Sequence, residues 1–178
     1  MEGFVEQVVK REMTAKNLMI KIMAVALEII LPLFFVMLAN LTSVFYLVMV
    51  GLFVFIGGLY IVWYVFTSQK VEYEYAVNGD VLDVAKIVSL RKRKRLCRVT
   101  IKDIDLLEVG DANIQDMHFR KMAMAAKNAK NTKENYFAVY TMPAYGKCLL
   151  VFNPSENILQ AMKPHMKKEL MIKLFYRK

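Results

Sequence analysis

Residues 44–66, VFYLVMVGLFVFIGGLYIVWYVF, run for 23 positions without a single charge. A helix built from them has no polar face to turn toward water. At 1.5 Å per residue it would measure about 34 Å, and the hydrocarbon core of a bilayer is about 30 Å thick. Tyr60, Trp63 and Tyr64 fall near its C-terminal end, where interfacial aromatic residues belong. The stretch predicts a transmembrane helix.

A second stretch, residues 22–38, holds one charge, Glu28, and one proline, Pro32. The linker 39–43 is short and uncharged, so the two stretches predict an antiparallel hairpin with spans at 20–39 and 44–67. A cleaved signal peptide is disfavoured for the first, because its charged flank is long and a full span follows at once. Lys10, Arg11, Lys16 and Lys21 precede the first span, and Lys70 and a basic run follow the second. The connection has no Lys or Arg. The positive-inside rule then puts both termini in the cytosol of a multi-pass cell-membrane protein. The chain carries a net charge of +9 although 57% of its residues are hydrophobic, which fits this segregation. Cys97 and Cys148 fall on the reducing side, where free thiols are expected.

Three segments result: an amphipathic N-terminal segment at 1–17, the spans within 18–67, and a cytosolic domain at 70–178. In the first, Phe4, Val5, Val8, Val9 and Met13 recur near helical spacing and predict a short helix lying on the membrane face. From residue 71 the period becomes two. Val71, Tyr73, Tyr75 and Val77 alternate with Glu72, Glu74 and Ala76, and Asn78-Gly79 follows, a strong hairpin signal. With Asn78-Gly79 as the central turn residues, Tyr75 faces Leu82, Tyr73 faces Val84, Val71 faces Lys86, and Glu74 lies opposite Asp83. Further strands are expected at 96–101, 105–109, 136–141 and 147–152. A polar insert at 111–134 suggests a short helix near 119–127 or a mobile stretch. Asn153-Pro154-Ser155-Glu156 marks a helix start, with Asn153 as cap. The fold class is α+β: a transmembrane hairpin, then a small antiparallel sheet with a C-terminal helix.

Residues 91–98 read RKRKRLCR. By the hairpin register, this connection returns to the end of the sheet nearest the second span. Arg91, Lys92, Arg93, Lys94, Arg95 and Arg98 are therefore candidate ligands for anionic lipid headgroups, each worth roughly 1 kcal/mol near such a leaflet. A second use stays open: like charges at Glu74 and Asp83 need neutralising. Simple alternation puts Arg91, Arg93, Arg95 and Cys97 on one side and Lys92, Lys94, Leu96 and Arg98 on the other. Nucleic acid is not an expected partner, since no aromatic interleaves within the run.

Glu28 is an ionisable group inside a predicted span, a functional candidate by default. Pro32 lacks the N–H that would bond the Glu28 carbonyl. Either Glu28 forms a proton or cation site, or it sits near the cytosolic end within reach of Lys21 and headgroup water. Gly51, Gly57 and Gly58 would let the spans pack closely. His118 and His165 have no metal-ligand spacing, and no phosphate loop or nucleophile–base motif is present. No cofactor, metal or catalytic residue is expected.

The order VEQVVKREMTAKN, two tightly linked spans, VEYEYAVNGDVLDVAKI, RKRKR and VFNPSENILQAM resembles a family of small bacterial membrane proteins with a cytosolic PH-like domain. The resemblance implies a PH-like sheet capped by a C-terminal helix, and it implies no activity. PH domains of eukaryotes often bind lipid through the first hairpin loop. Here that loop is Asn78-Gly79-Asp80, which is not basic, so phosphoinositide recognition of that kind is not expected. The reading is a non-enzymatic, membrane-anchored interaction module with a protein partner or a second copy. The alternative is an accessory subunit of a transporter or channel that uses Glu28.

Overall fold

The computed structural model describes residues 4–89, 91–110, 117–128 and 131–176. Met13–Lys70 forms one compact unit, and the remaining described chain forms the other.

The first unit is a helix pair, α1 (Ala15–Thr42) and α2 (Tyr46–Ser68), both long and apolar enough to cross a bilayer. Helix α1 extends past its expected bounds at both ends, α2 is displaced toward the C-terminus by one or two residues, and the connection is 43–45, where Ser43 takes the left-handed conformation that ends α1 (φ +55°). Gly51 and Gly58 both face α1. A Cβ at Gly51 would lie 3.0 Å from Cβ of Phe35, whereas one at Gly57 would meet nothing.

The second unit holds two four-stranded sheets. Sheet A has the order β1 (Val5–Lys10), β2 (Val71–Asn78), β3 (Val81–Val88), β4 (Lys92–Thr100), all antiparallel. Sheet B has the order β5 (Ile104–Val109), β7 (Tyr136–Met142), β8 (Gly146–Phe152), β6 (Lys121–Met124), with β6 parallel to β8. Helices α3 (Glu156–Met162) and α4 (Lys168–Phe175) follow. One core joins Tyr75, Leu82 and Val84 of sheet A, Tyr140, Leu150 and Phe152 of sheet B, and Ile158 and Met162 of α3. The Tyr75 ring stands edge-on to Phe152 at 5.7 Å, and its hydroxyl donates to the Ala125 carbonyl.

Several expectations are corrected. The amphipathic segment is not a helix on the membrane. Its residues 5–10 form β1, which pairs with β2 and belongs to the sheet domain. Val5 and Val9 satisfy both helical and alternating spacing, and the unpaired edge of β2 decides between them. Gln7 reinforces the choice: its side chain accepts from Ser155 N (2.7 Å) and donates to the Asn153 carbonyl (3.2 Å), holding the start of α3. The cap of α3 is Ser155 rather than Asn153.

The β2–β3 turn is centred on Gly79-Asp80, so Asn78 pairs with Val81. Gly79 has φ +58° at the first central position, where a type II′ turn places glycine. The register moves by two, which preserves every face. Glu74 now lies opposite Ala85 and Asp83 opposite Ala76, so the two acids avoid direct opposition.

In the insert, Lys121–Met124 is a strand, not a helix, because it satisfies the open edge of β8. Ala126 and Phe119 then cover Phe137, Val139, Leu149 and Val151 on the outer side of sheet B. Residues 111–116 lie outside the described residues.

Cys97 and Cys148 are both free and buried in the shared core. Burial pushes the Cys97 thiol up to about 12, and it also raises the Tyr75 and Tyr140 phenols. These groups stay neutral in the fold, so their contribution is complete below pH about 9 and is lost as pH rises toward the folded values. The full chain in detergent should therefore keep a constant urea midpoint up to pH about 9 and lose stability above it. A maleimide probe should label neither thiol before unfolding and both after it; rapid native labelling would contradict the placement.

Candidate functional site

The basic stretch is not a loop. Arg91 lies in the β3–β4 turn, and Lys92 onward forms β4, an edge strand of sheet A. A β-bulge breaks its alternation. Arg95 pairs with Ala85 and Cys97 with Val84, which leaves Leu96 as the extra residue. A bulge re-aims every side chain beyond it. Cys97 thereby enters the core, and Arg98 joins Arg93 and Arg95 on the outer face, where simple alternation would have separated them.

That outer face carries the acids. Glu74 is only 7% exposed and pairs with the Arg93 guanidinium. Asp83 is held by Arg95 (3.2 Å) and Arg98 (3.6 Å). Glu72 lies opposite Lys10, 3.9 Å away. The positions between the acids are small, Ala76 and Ala85, and both are buried although they point away from the core. Long arginine stems crossing the sheet account for this cover. A groove of 330 Å³ runs along the face, between Phe4 and Glu6 at the start of β1 and Arg93 and Arg98 on β4. Its guanidiniums are already matched by carboxylates, so it offers little net charge to a ligand.

The other cations stand apart. Lys92 and Lys94 project to the opposite face from Arg93, in register with Val88 and Lys86. Lys94 and Lys86 are thus like charges directly across from each other, a destabilising arrangement in isolation. None of Lys86, Arg91, Lys92 and Lys94 has an acidic partner among the described residues. All four lie at one end of sheet A. At that same end β1 closes and β2 opens, with Arg11 N donating to the Val71 carbonyl (2.9 Å). The chain leaves for the helices, and returns from them, at this end. Lys86 was missed as a site residue, although its signal was visible: one lysine on the apolar parity of a strand.

In the helix pair, Glu28 is the fourteenth of the 28 residues of α1 and faces Gly58, the thirteenth of 23 in α2. The carboxylate occupies the space a side chain at Gly58 would need. Glu28 therefore sits at mid-height, about 15 Å or more from either end of α2. Lys21 does not reach it; its Nζ lies over the Phe66 ring, 5.1 Å from the centroid. Glu28 Oε1 is buried without a hydrogen-bond partner.

Two four-stranded sheets sharing a core with a C-terminal helix define a PH-like domain, here joined to a pair of membrane-type helices. The chain belongs to the bacterial PH-like domain family DUF6106, whose model matches residues 1–172. No curated protein and no solved structure matches it.

Dividing the cations this way predicts unequal costs. Arg93→Gln leaves a buried carboxylate unpaired and should lower the stability of the full chain by about 1–3 kcal/mol. Lys94→Gln removes only a like-charge neighbour of Lys86 and should stay within about 0.5 kcal/mol of the native chain. Urea denaturation of both variants in the same detergent checks this, and equal losses would refute the division.

Proposed function

We propose that the chain is a membrane-anchored, non-enzymatic interaction module whose PH-like domain docks on the cytosolic leaflet. The carrying observation is that the acid-free cations Lys86, Arg91, Lys92 and Lys94 gather at the sheet end where the chain departs for the helices. Anionic headgroups supply a counter-charge that no acid among the described residues provides there. Arg93, Arg95 and Arg98 serve mainly to neutralise Glu74 and Asp83. Both termini on one side of the membrane is supported by the β1–β2 pairing, since the residues before α1 and after α2 must meet in one compartment. The cytosolic side follows from the positive flanks. With its lipid face engaged, the domain presents sheet B and the helices to a protein partner or a second copy. The position of Glu28 favours one further reading, an accessory subunit that engages other membrane helices.

A soluble fragment starting at residue 70 would lack β1, so the test replaces Met13–Lys70 by a short Gly/Ser linker between Glu12 and Val71. Co-sedimentation with vesicles of anionic lipid should be strong at low salt and fall steeply as salt rises. Changing Arg91, Lys92 and Lys94 together to Gln should abolish binding without unfolding the domain. Binding that persists in this variant, or that is equal on neutral vesicles, would reject the docking surface.

A further inference from the structure

The helix pair carries an unfinished polar site. Glu28 is the sole acid in either helix, and Pro32 removes the N–H that would have bonded the Glu28 carbonyl. Its buried Oε1 has no hydrogen-bond partner among the described residues. Glu28 lines a groove of 420 Å³ between the helices, whose other walls include Leu27, Leu31, Val54, Gly57 and Ile61. Every one of these neighbours is apolar. Gly57 adds space, since a Cβ there would meet no atom, and small residues let a further helix approach closely.

An acid held between two apolar helices inside a bilayer is costly unless paired. The chain does not pair it internally, because Lys21 is turned to Phe66. A second copy would bring another carboxyl group to the same depth, which can pair with Glu28 only if one of the two takes up a proton, whereas a cation pairs with it directly. The complement of this groove is an apolar helix with one positive charge at its middle. We propose that the Glu28 groove receives a transmembrane helix of a partner protein bearing a lysine or arginine at mid-span. The ammonium or guanidinium completes Glu28, and the apolar flanks pack against Leu27, Leu31, Val54 and Ile61. The proposal rests on the membrane-spanning part of the functional reading and is independent of lipid docking.

The test uses the full chain in phospholipid vesicles and a synthetic Leu/Ala transmembrane peptide with one central Lys, compared with the same peptide bearing Leu. Trp63, the chain's sole tryptophan, serves as donor to an acceptor on the peptide. The Lys peptide should bind at least tenfold more tightly than the Leu peptide. Glu28→Gln should bring the two within about twofold, and Gly57→Leu, which fills the groove and leaves the acid in place, should weaken the Lys peptide. Equal binding of both peptides to the native chain, or an unchanged preference in Glu28→Gln, overturns the proposal. So does Glu28-dependent self-association that the Lys peptide cannot displace, which would give the groove to a second copy. Quenching of Trp63 by brominated lipids reports insertion separately, so an inserted chain without the preference defeats this proposal while leaving the spans intact.

Discussion

The hydrogen-bonded pairing of β1 with β2 governs the rest of the architecture. These strands are neighbours in one sheet, yet the whole helix pair is inserted between them in sequence. Closing the pair requires the chain to leave and re-enter the sheet at a single end, which an antiparallel helix hairpin satisfies and a single span would not. Loop-closure entropy rises only slowly with the length of an insertion, so a hairpin that is itself ordered adds little to the cost of forming the β1–β2 ladder. The same pairing lets Gln7 reach Asn153 and Ser155, so a residue before the helices fixes the start of α3 near the chain's far end.

From that constraint follows the different treatment of charge on the two faces of β4. One extra residue at Leu96 gathers three arginines over two carboxylates and sends Cys97 inward. Without the bulge, either Cys97 or Arg98 would sit on the wrong face. The lysines on the opposite parity lie beyond the well-buried part of the core, where Val71 and Val88 are only half-buried. A basic run that looks uniform in sequence is thus two sets with different work: one set stabilises the sheet, and the other keeps its charge available.

Much of this was legible in the sequence wherever a pattern was long. The two spans, the alternating β2 and β3, and β5, β7 and β8 all declare themselves through hydropathy or period two. Faces survived the wrong turn centre because a shift of two residues leaves parity unchanged. What escaped was decided by partners distant in sequence. β1 is six residues long and its valines fit two periods; only the open edge of β2, some sixty residues on, selects the strand. Lys121–Met124 lies in a composition that favours helix, and the edge of β8 overrides it. The bulge at Leu96 has no local signal such as glycine, so the separation of Arg93, Arg95 and Arg98 from Lys92 and Lys94 needed the paired strand to reveal it. Glu28 was legible as a candidate, whereas its packing against Gly58 was not, because no local signal tells which faces of the two helices meet.

The contrast between the acids of the two units bears on function. In the sheet domain, Glu74 and Asp83 have arginines from the edge strand β4. In the helix pair, nothing among the described residues bonds Glu28 Oε1, and an unpaired buried carboxylate is costly. A protein with a net charge of +9 is not short of cations, and Lys21 lies two helical turns away on the same helix. A glutamate packed on Gly58 beside an open groove, with Oε1 unpartnered among the described residues, is what would be expected if the missing partner belongs to another molecule.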